Sequence, residues 1–369
     1  MGIPEKIKAI QDEMAKTQIN KATEHHIGLL KAKIAKLKRE QEENIIKKSG
    51  MKSDGFDVRR SGDATVVFIG LPSVGKSTLL NKMTKAKSMV GAFTFTTLTV
   101  VPGMMEYRGA KIQVLDLPGI IKGASTGKGL GKRILSVART ADLVLLMLDV
   151  FQPYHENVLV NELGNIGIRL NQLPPNITIE KASMGGIAVA QQVKLTKITE
   201  KHLKDILHLY GIVSARVVIR EDVTSEQLAD YIAGNISYSK SITIVNKVDL
   251  VDKKFLKELK KKIKSEVIEV SANSDINIEL LKEKIYEKLK FIRIYMRPKG
   301  GETDFKEPLI AREGDTVEDI CNKLHRRMKR AFRFGLVWGK SVKFGGQRVG
   351  LTHILLDEDV LTIIKKRGA

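Results

Sequence analysis

Cysteine is almost missing from this chain of 369 residues. Cys321 is the only one, which excludes an internal disulfide and a cysteine-rich zinc site and suits a reducing compartment. Long apolar runs are missing too: the longest, such as ADLVLLMLDV, reach about 10 residues, half of what a membrane-spanning helix needs. The opening MGIPEKIKAI lacks a cationic segment followed by an apolar one, so it does not read as a secretory signal. The expectation is a soluble cytoplasmic protein without membrane contact. Acidic residues are in deficit, with 42 Asp and Glu against 63 Lys and Arg, a formal net charge of +21. That excess favours a polyanionic partner, although a lysine-biased surface alone would give the same count.

What is present falls into blocks. Residues 1–50 are charged and helical in period, with Ile7, Ile10 and Met14 on one face and Ile27, Leu30, Ile34 and Leu37 on another, which predicts a helical hairpin broken near TQINKAT. Residues 51–63 read as a linker. From Ala64 the pattern alternates strands with helices: ATVVFIG, KIQVLDLPG, ADLVLLMLDV, SITIVNKVDL and VIEVSAN are predicted strands, most ending in polar or Gly-rich loops. This is the rhythm of a doubly wound α/β sheet, which holds ligands at the carboxyl ends of its strands. The sheet domain is assigned to residues 64–165 and 237–290. An inserted α/β subdomain, 166–236, is expected to contain a hairpin, NITIEKASMGGIAVAQQV, turning at Gly185 and Gly186, and then the helical EKHLKDILHLYGI. Residues 291–369 form a last compact unit, with strands FIRIYMRP, PLIAREG and DVLTIIKK and a helix from Val317.

The chemistry sits at the strand ends. Gly70, four residues, Gly75, Lys76 and Ser77 fit a phosphate-binding loop, in which main-chain N–H groups curl around an anion and the next helix presents its positive end. Pro72, Ser73, Val74 and Thr78 belong to the same cradle. Lys76 would reach the β- and γ-phosphates and Ser77 would hold Mg²⁺. Asp116, in DLPG, can hold the same ion through water, and the Gly119 N–H can meet a γ-phosphate. In NKVD, the Asp249 carboxylate can accept two hydrogen bonds from the N1–H and N2–H₂ edge of guanine, which adenine cannot supply. Asn246 and Lys247 share that motif. Ser271, Ala272 and Asn273 follow the next strand, and Ala272 N–H can face the guanine O6. GTP or GDP with Mg²⁺ is therefore the expected ligand.

The stretches GLPSVGKSTLLNKMT, FTFTTLTVVPG, LDLPGIIKGASTGKGLGKRILSVART and NKVD, with the last unit, resemble the developmentally regulated GTP-binding proteins, a branch of the Obg-like GTPases of the translation-factor class. The resemblance covers nearly the whole chain. It implies a GTPase acting as a nucleotide-dependent switch on the ribosome or its RNA, a dedicated regulatory protein as partner, and no small-molecule substrate beyond GTP and water. It also implies that Thr97 closes on Mg²⁺ in the GTP state, where a hydroxyl suits a hard cation, and that Lys76, Thr97 and Gly119 form the catalytic set. Ile120 stands where Ras-type proteins carry the Gln that orients water, so slow hydrolysis without an activator is expected. Ser73 stands where some relatives carry an Asn that holds K⁺, which leaves K⁺ dependence open. An RNA- or ribosome-binding adaptor, with GTP mainly structural, is the alternative.

The last unit resembles the TGS domain, a ubiquitin-like β-grasp module. Its helix is expected to run on past Met328, with Val317, Ile320, Cys321, Leu324 and Met328 packed on the sheet and Lys323, Arg326, Arg327, Lys329 and Arg330 facing out, either as a solvated stripe or toward RNA phosphates. Phe332, Phe334 and Trp338 are expected in the core rather than as base-stacking groups. KAKIAKLKRE could lie along RNA or keep the hairpin soluble. His25 and His26, adjacent on a helix, make a poor metal pair.

Overall fold

A computed structural model describes residues 2–18, 23–49, 61–84, 93–95, 98–117, 137–234, 236–263 and 265–366. The chain divides into two compact units, Asp57–Glu162 with Lys240–Ala369, and Met1–Phe56 with Leu163–Ser239. In chain order the strands of the first unit are β1 (Ala64–Gly70), β2 (Phe93–Phe95), β3 (Leu98–Tyr107), β4 (Ala110–Asp116) and β5 (Leu143–Asp149). The second contributes β6 (Ile168–Leu170), β7 (Ile177–Lys181), β8 (Ile187–Gln191) and β9 (Ala215–Ile219). Strand β10 (Ser237–Asn246) leads back to β11 (Val267–Glu269), then β12 (Phe291–Met296), β13 (Leu309–Arg312), β14 (Phe332–Trp338), β15 (Gln347–Val349) and β16 (Val360–Lys365).

The main sheet runs β11-β10-β5-β1-β4-β3-β2, parallel from β11 to β4 and antiparallel at β3 and β2. β1 and β5 are nearly continuous apolar runs because both sheet faces are covered: all seven residues of β1, the polar Thr65 included, are buried, as are Leu143–Leu148 of β5. One face packs on the helices Lys76–Met83 and Ile278–Leu289 through Leu79, Leu80, Leu281 and Ile285. Chain order reverses around β1, which opens a crevice at the carboxyl ends of β1, β4, β5 and β10.

The C-terminal sheet runs β13-β12-β16-β14-β15, with β12 and β16 parallel at its centre and the helix Val317–Leu324 packed on one face. This is the β-grasp order. Thr316 caps that helix reciprocally with Asp319. The helix does not continue through Met328. His325 turns extended (φ −165°, ψ 133°), and a separate short helix, Met328–Ala331, feeds β14. The expected cationic stripe is split accordingly: Lys323 reaches the Ile310 carbonyl and lies 3.6 Å from Asp63, and Lys329 pairs with Glu318.

The other unit joins the N-terminal helices to the inserted segment. α1 (Ile3–Lys16) and α2 (Glu24–Ser49) form the hairpin, with Ile10, Ile27 and Leu30 buried. A second face of α2, built from small residues, meets the helices Glu200–Leu209 and Ser225–Ala233. Ala32 is fully buried there, and a Cβ on Gly28 would lie 2.5 Å from His202 Cε1. Lys36 of the basic run donates to the Leu209 carbonyl at 2.9 Å. The expected β7–β8 hairpin is corrected: the Gly185–Gly186 turn exists, but β9 lies between the two strands, antiparallel to β7 and parallel to β8. The stiff β9 core residues Val217 and Ile219 complete an apolar face that a two-stranded ribbon could not supply.

Candidate nucleotide-binding site

β1 ends at Gly70, and the chain turns through two left-handed residues, Ser73 (φ 62°) and Gly75 (φ 95°), before the helix Lys76–Met83. Val74, between them, plugs into the core. Gly75 is required twice over, since a Cβ would also lie 2.4 Å from Asn246 Nδ2. No side chain caps the helix, so its first N–H groups remain available to an anion. Pro72, Ser73, Ser77 and Thr78 are exposed around this loop.

Lys76 is buried, and its ammonium donates to the carbonyls of Leu71 at 2.9 Å and Gly70 at 3.3 Å. Burial lowers its pKa, and the Asp116 carboxylate opposes that shift. A cation held under a desolvation penalty is stabilised by an incoming phosphate. Ser77 Oγ donates to Asp116 Oδ2. The other oxygen, Asp116 Oδ1, is buried without a hydrogen-bond partner among the described residues. An orphaned carboxylate oxygen beside a hydroxyl is a hard, anionic donor pair, and it fits Mg²⁺ or one of its waters. Thr97, Gly119 and Ile120 lie outside the described residues.

The opposite wall is tied to the phosphate loop by one amide. Asn246, at the end of β10, is 3% exposed; its Nδ2 donates to Val74 O at 2.9 Å and its Oδ1 accepts from Ala272 N at 3.1 Å. The Ala272 N–H expected to face a base is therefore engaged by Asn246. Lys247 adopts a left-handed conformation (φ 68°) and its ammonium meets Asp149 Oδ2 at 2.6 Å. Asp249 is exposed on the short 3₁₀ turn Val248–Leu250, and a side-chain hydrogen bond from Ser271 pulls its pKa below the usual carboxylate range, keeping it ionised. Ser271 and Ala272 are buried, while Asn273 is open to solvent.

Residues 65–181 match the family of 50S ribosome-binding GTPases, 184–291 the C-terminal region of the MMR_HSR1 domain, and 292–365 the TGS domain. An uncharacterised GTP-binding protein of Methanocaldococcus jannaschii is 55% identical, over 100% of this chain and 94% of that protein. The developmentally-regulated GTP-binding protein 2 homolog of Dictyostelium discoideum is 49% identical over 99% of this chain and 100% of its own length, and developmentally-regulated GTP-binding protein 2 of Homo sapiens is 45% identical over the same shares. This chain belongs to the developmentally regulated GTP-binding proteins. Membership makes it a GTP-binding protein of the GTPase class with a C-terminal TGS domain. In this developmentally regulated GTP-binding protein, Asp149 is a residue that motif reading passes over. Its signal is positional: it ends β5 at the same sheet edge as the other motifs, where its Oδ1 also fixes the next turn by accepting from Phe151 N at 3.0 Å.

Proposed function

We propose that this protein binds GTP in the crevice at the carboxyl edge of the main sheet, hydrolyses it slowly, and changes its affinity for the ribosome between the GTP and GDP states. The observation that carries the nucleotide reading is Asn246, a single buried amide that sets the phosphate loop and the 271–273 loop at a fixed separation, with Asp249 ionised beside them. The main chain of Gly70–Ser77 cradles the phosphates, with Pro72, Ser73, Val74 and Thr78 shaping the loop and Lys76 directed to the β- and γ-phosphates. Asp249 clasps the guanine edge, Lys247 lies along the base, and Ser271, Ala272 and Asn273 close over it.

Ser77, Asp116 and Thr97 would hold Mg²⁺, which supplies positive charge at the phosphates when bound. Water attacks the γ-phosphorus in line and the bond to the β-phosphate oxygen breaks, while Lys76 and the loop N–H groups, including that of Gly119, balance the developing charge. Ile120 cannot orient or deprotonate water, so turnover needs another group or a partner. A family-type regulatory protein and a bound K⁺ are the two sources to test, the latter by comparing rates in K⁺ and Na⁺.

The ribosome reading is supported by the matched family's description and by the net charge of +21. No helix among the described residues is long and apolar enough to cross a membrane, and we assign the protein to the cytoplasm. Ile120 also favours a second reading, an RNA-binding adaptor in which nucleotide is structural. Sedimentation with ribosomes in GDP, GTP and a non-hydrolysable analogue separates them: the switch predicts state-dependent binding, the adaptor equal binding in all three.

A further inference from the structure

The β-grasp sheet has a second face. Phe291 and Ile310, at its β12–β13 side, are buried in the core of the main sheet. Farther across, pairing builds three rows that point away from the TGS core: Tyr295, Val360 and Trp338; then Arg297, Thr362, Leu336 and Arg348; then Ile364 and Phe334. Among the aromatic residues expected in the core, only Phe332 is there. A register shift between Phe332 and Phe334 turns Phe334 and Trp338 outward, where both are half-buried.

Arginines at the two ends of the middle row lean over the aromatics of its neighbours. The Arg348 guanidinium lies 3.9 Å from the Phe334 ring centre, and Arg297 lies 4.9 Å from the ring of Trp338. Phe305, 65% exposed, rests on Tyr295 with centroids 5.1 Å apart, and Phe344 is also 65% exposed. Among the described residues Arg297, Arg333, Arg348 and Lys343 have no carboxylate partner, whereas Asp357 and Glu358 at the sheet's rim are engaged by Arg293 and Lys340. An apolar protein partner would not call for this many uncompensated cations, and a duplex would leave the aromatic planes unused. Flat guanidinium and ring surfaces among free cations fit unstacked bases joined by phosphates.

We propose that this face binds single-stranded RNA, with bases stacking on the Arg348–Phe334 and Arg297–Trp338 pairs and phosphates meeting Arg333 and Lys343. The choice of RNA rests on the ribosome reading; the stacking geometry rests on the sheet itself.

Trp338 is the only tryptophan in the chain, so its fluorescence reports this face alone. The full-length protein is titrated with a fluorescein-labelled oligoadenylate single strand and with an RNA duplex of equal length, following Trp338 emission and anisotropy. The single strand is expected to quench Trp338 and to bind at least about tenfold more tightly than the duplex. Phe334→Leu, which keeps an apolar filler, and Arg348→Gln, an exposed position, should each weaken binding about tenfold and leave GTP affinity unchanged. Arg333→Gln, which removes a phosphate contact, should reduce the salt slope by about 0.7. Absence of quenching, equal duplex binding, or unchanged affinity in Arg348→Gln overturns the assignment. Quenching without nucleotide-dependent ribosome sedimentation leaves this face standing and sinks the switch, while nucleotide-dependent sedimentation without quenching sinks this face alone.

Discussion

Replacing Asn246 by Ala removes one side chain and strands two buried main-chain groups, the Val74 carbonyl and the Ala272 N–H, which it meets at 2.9 and 3.1 Å. Each unsatisfied buried group costs about 1–3 kcal/mol, so the nucleotide-free protein should lose about 2–6 kcal/mol. A loss of about 3 kcal/mol lowers the melting midpoint of a unit this size by about 6–12 °C. GTP affinity should fall as well, because the phosphate loop and the 271–273 loop lose their common anchor. Asn246→Asp separates the two contacts: the acceptor for Ala272 N–H survives, but a carboxylate oxygen then opposes the Val74 carbonyl, and the loss should be at least as large. Thermal unfolding of nucleotide-free protein and equilibrium GTP binding are measured on both variants. Stability within about 0.5 kcal/mol of the parent would refute the reasoning, because an amide serving only the ligand would leave the empty protein untouched.

Asp149→Asn should weaken GTP binding about tenfold by freeing Lys247, read by equilibrium titration; unchanged affinity would remove Asp149 from the site. His202 is buried, with Nε2 lacking a hydrogen bond among the described residues, and its pKa is lowered first by burial and then by the charge of His25, against Asp205 and Glu24. The unfolded chain therefore binds the proton first on acidification, so stability should rise with pH across the window ending near 6.5, with the full penalty below the lowered folded value. Melting of the parent and of His202→Gln between about pH 5 and pH 7 checks this, the slope being shallower in the variant. Ile120→Ala should change single-turnover hydrolysis by less than about threefold, since an alkyl group neither orients nor deprotonates water; a collapse in rate would show otherwise.

The strands that carry the site were legible because both of their faces are buried. ATVVFIG and LVLLMLD read as nearly continuous apolar runs, and their polar ends fall at one sheet edge wherever the motifs are strung along parallel strands. Contacts set by distant chain were not legible. Gly185 and Gly186 announce a turn, but not that β9 would arrive between the strands they join. LHRR contains no helix breaker, yet the chain unwinds at His325 to feed β14. Gly28 and Ala32 look neutral in α2, and only the approach of His202 and Tyr210 gives small residues there a purpose. Phe334 and Trp338 have the composition of core residues, and their outward direction follows from one shift in pairing register. Asp149 belongs to no short motif and enters through Lys247.

Nucleotide selectivity at Asp249 is the most direct measurement. The parent should prefer GTP to ATP strongly, and Asp249→Ala should lose that preference. Asp249→Asn should turn toward xanthosine triphosphate, whose C2 carbonyl accepts from the new amide where guanine carries a donor of its own. Equal binding of GTP and ATP by the parent, or a preference for GTP that survives in Asp249→Ala, would contradict a guanine base held by that carboxylate.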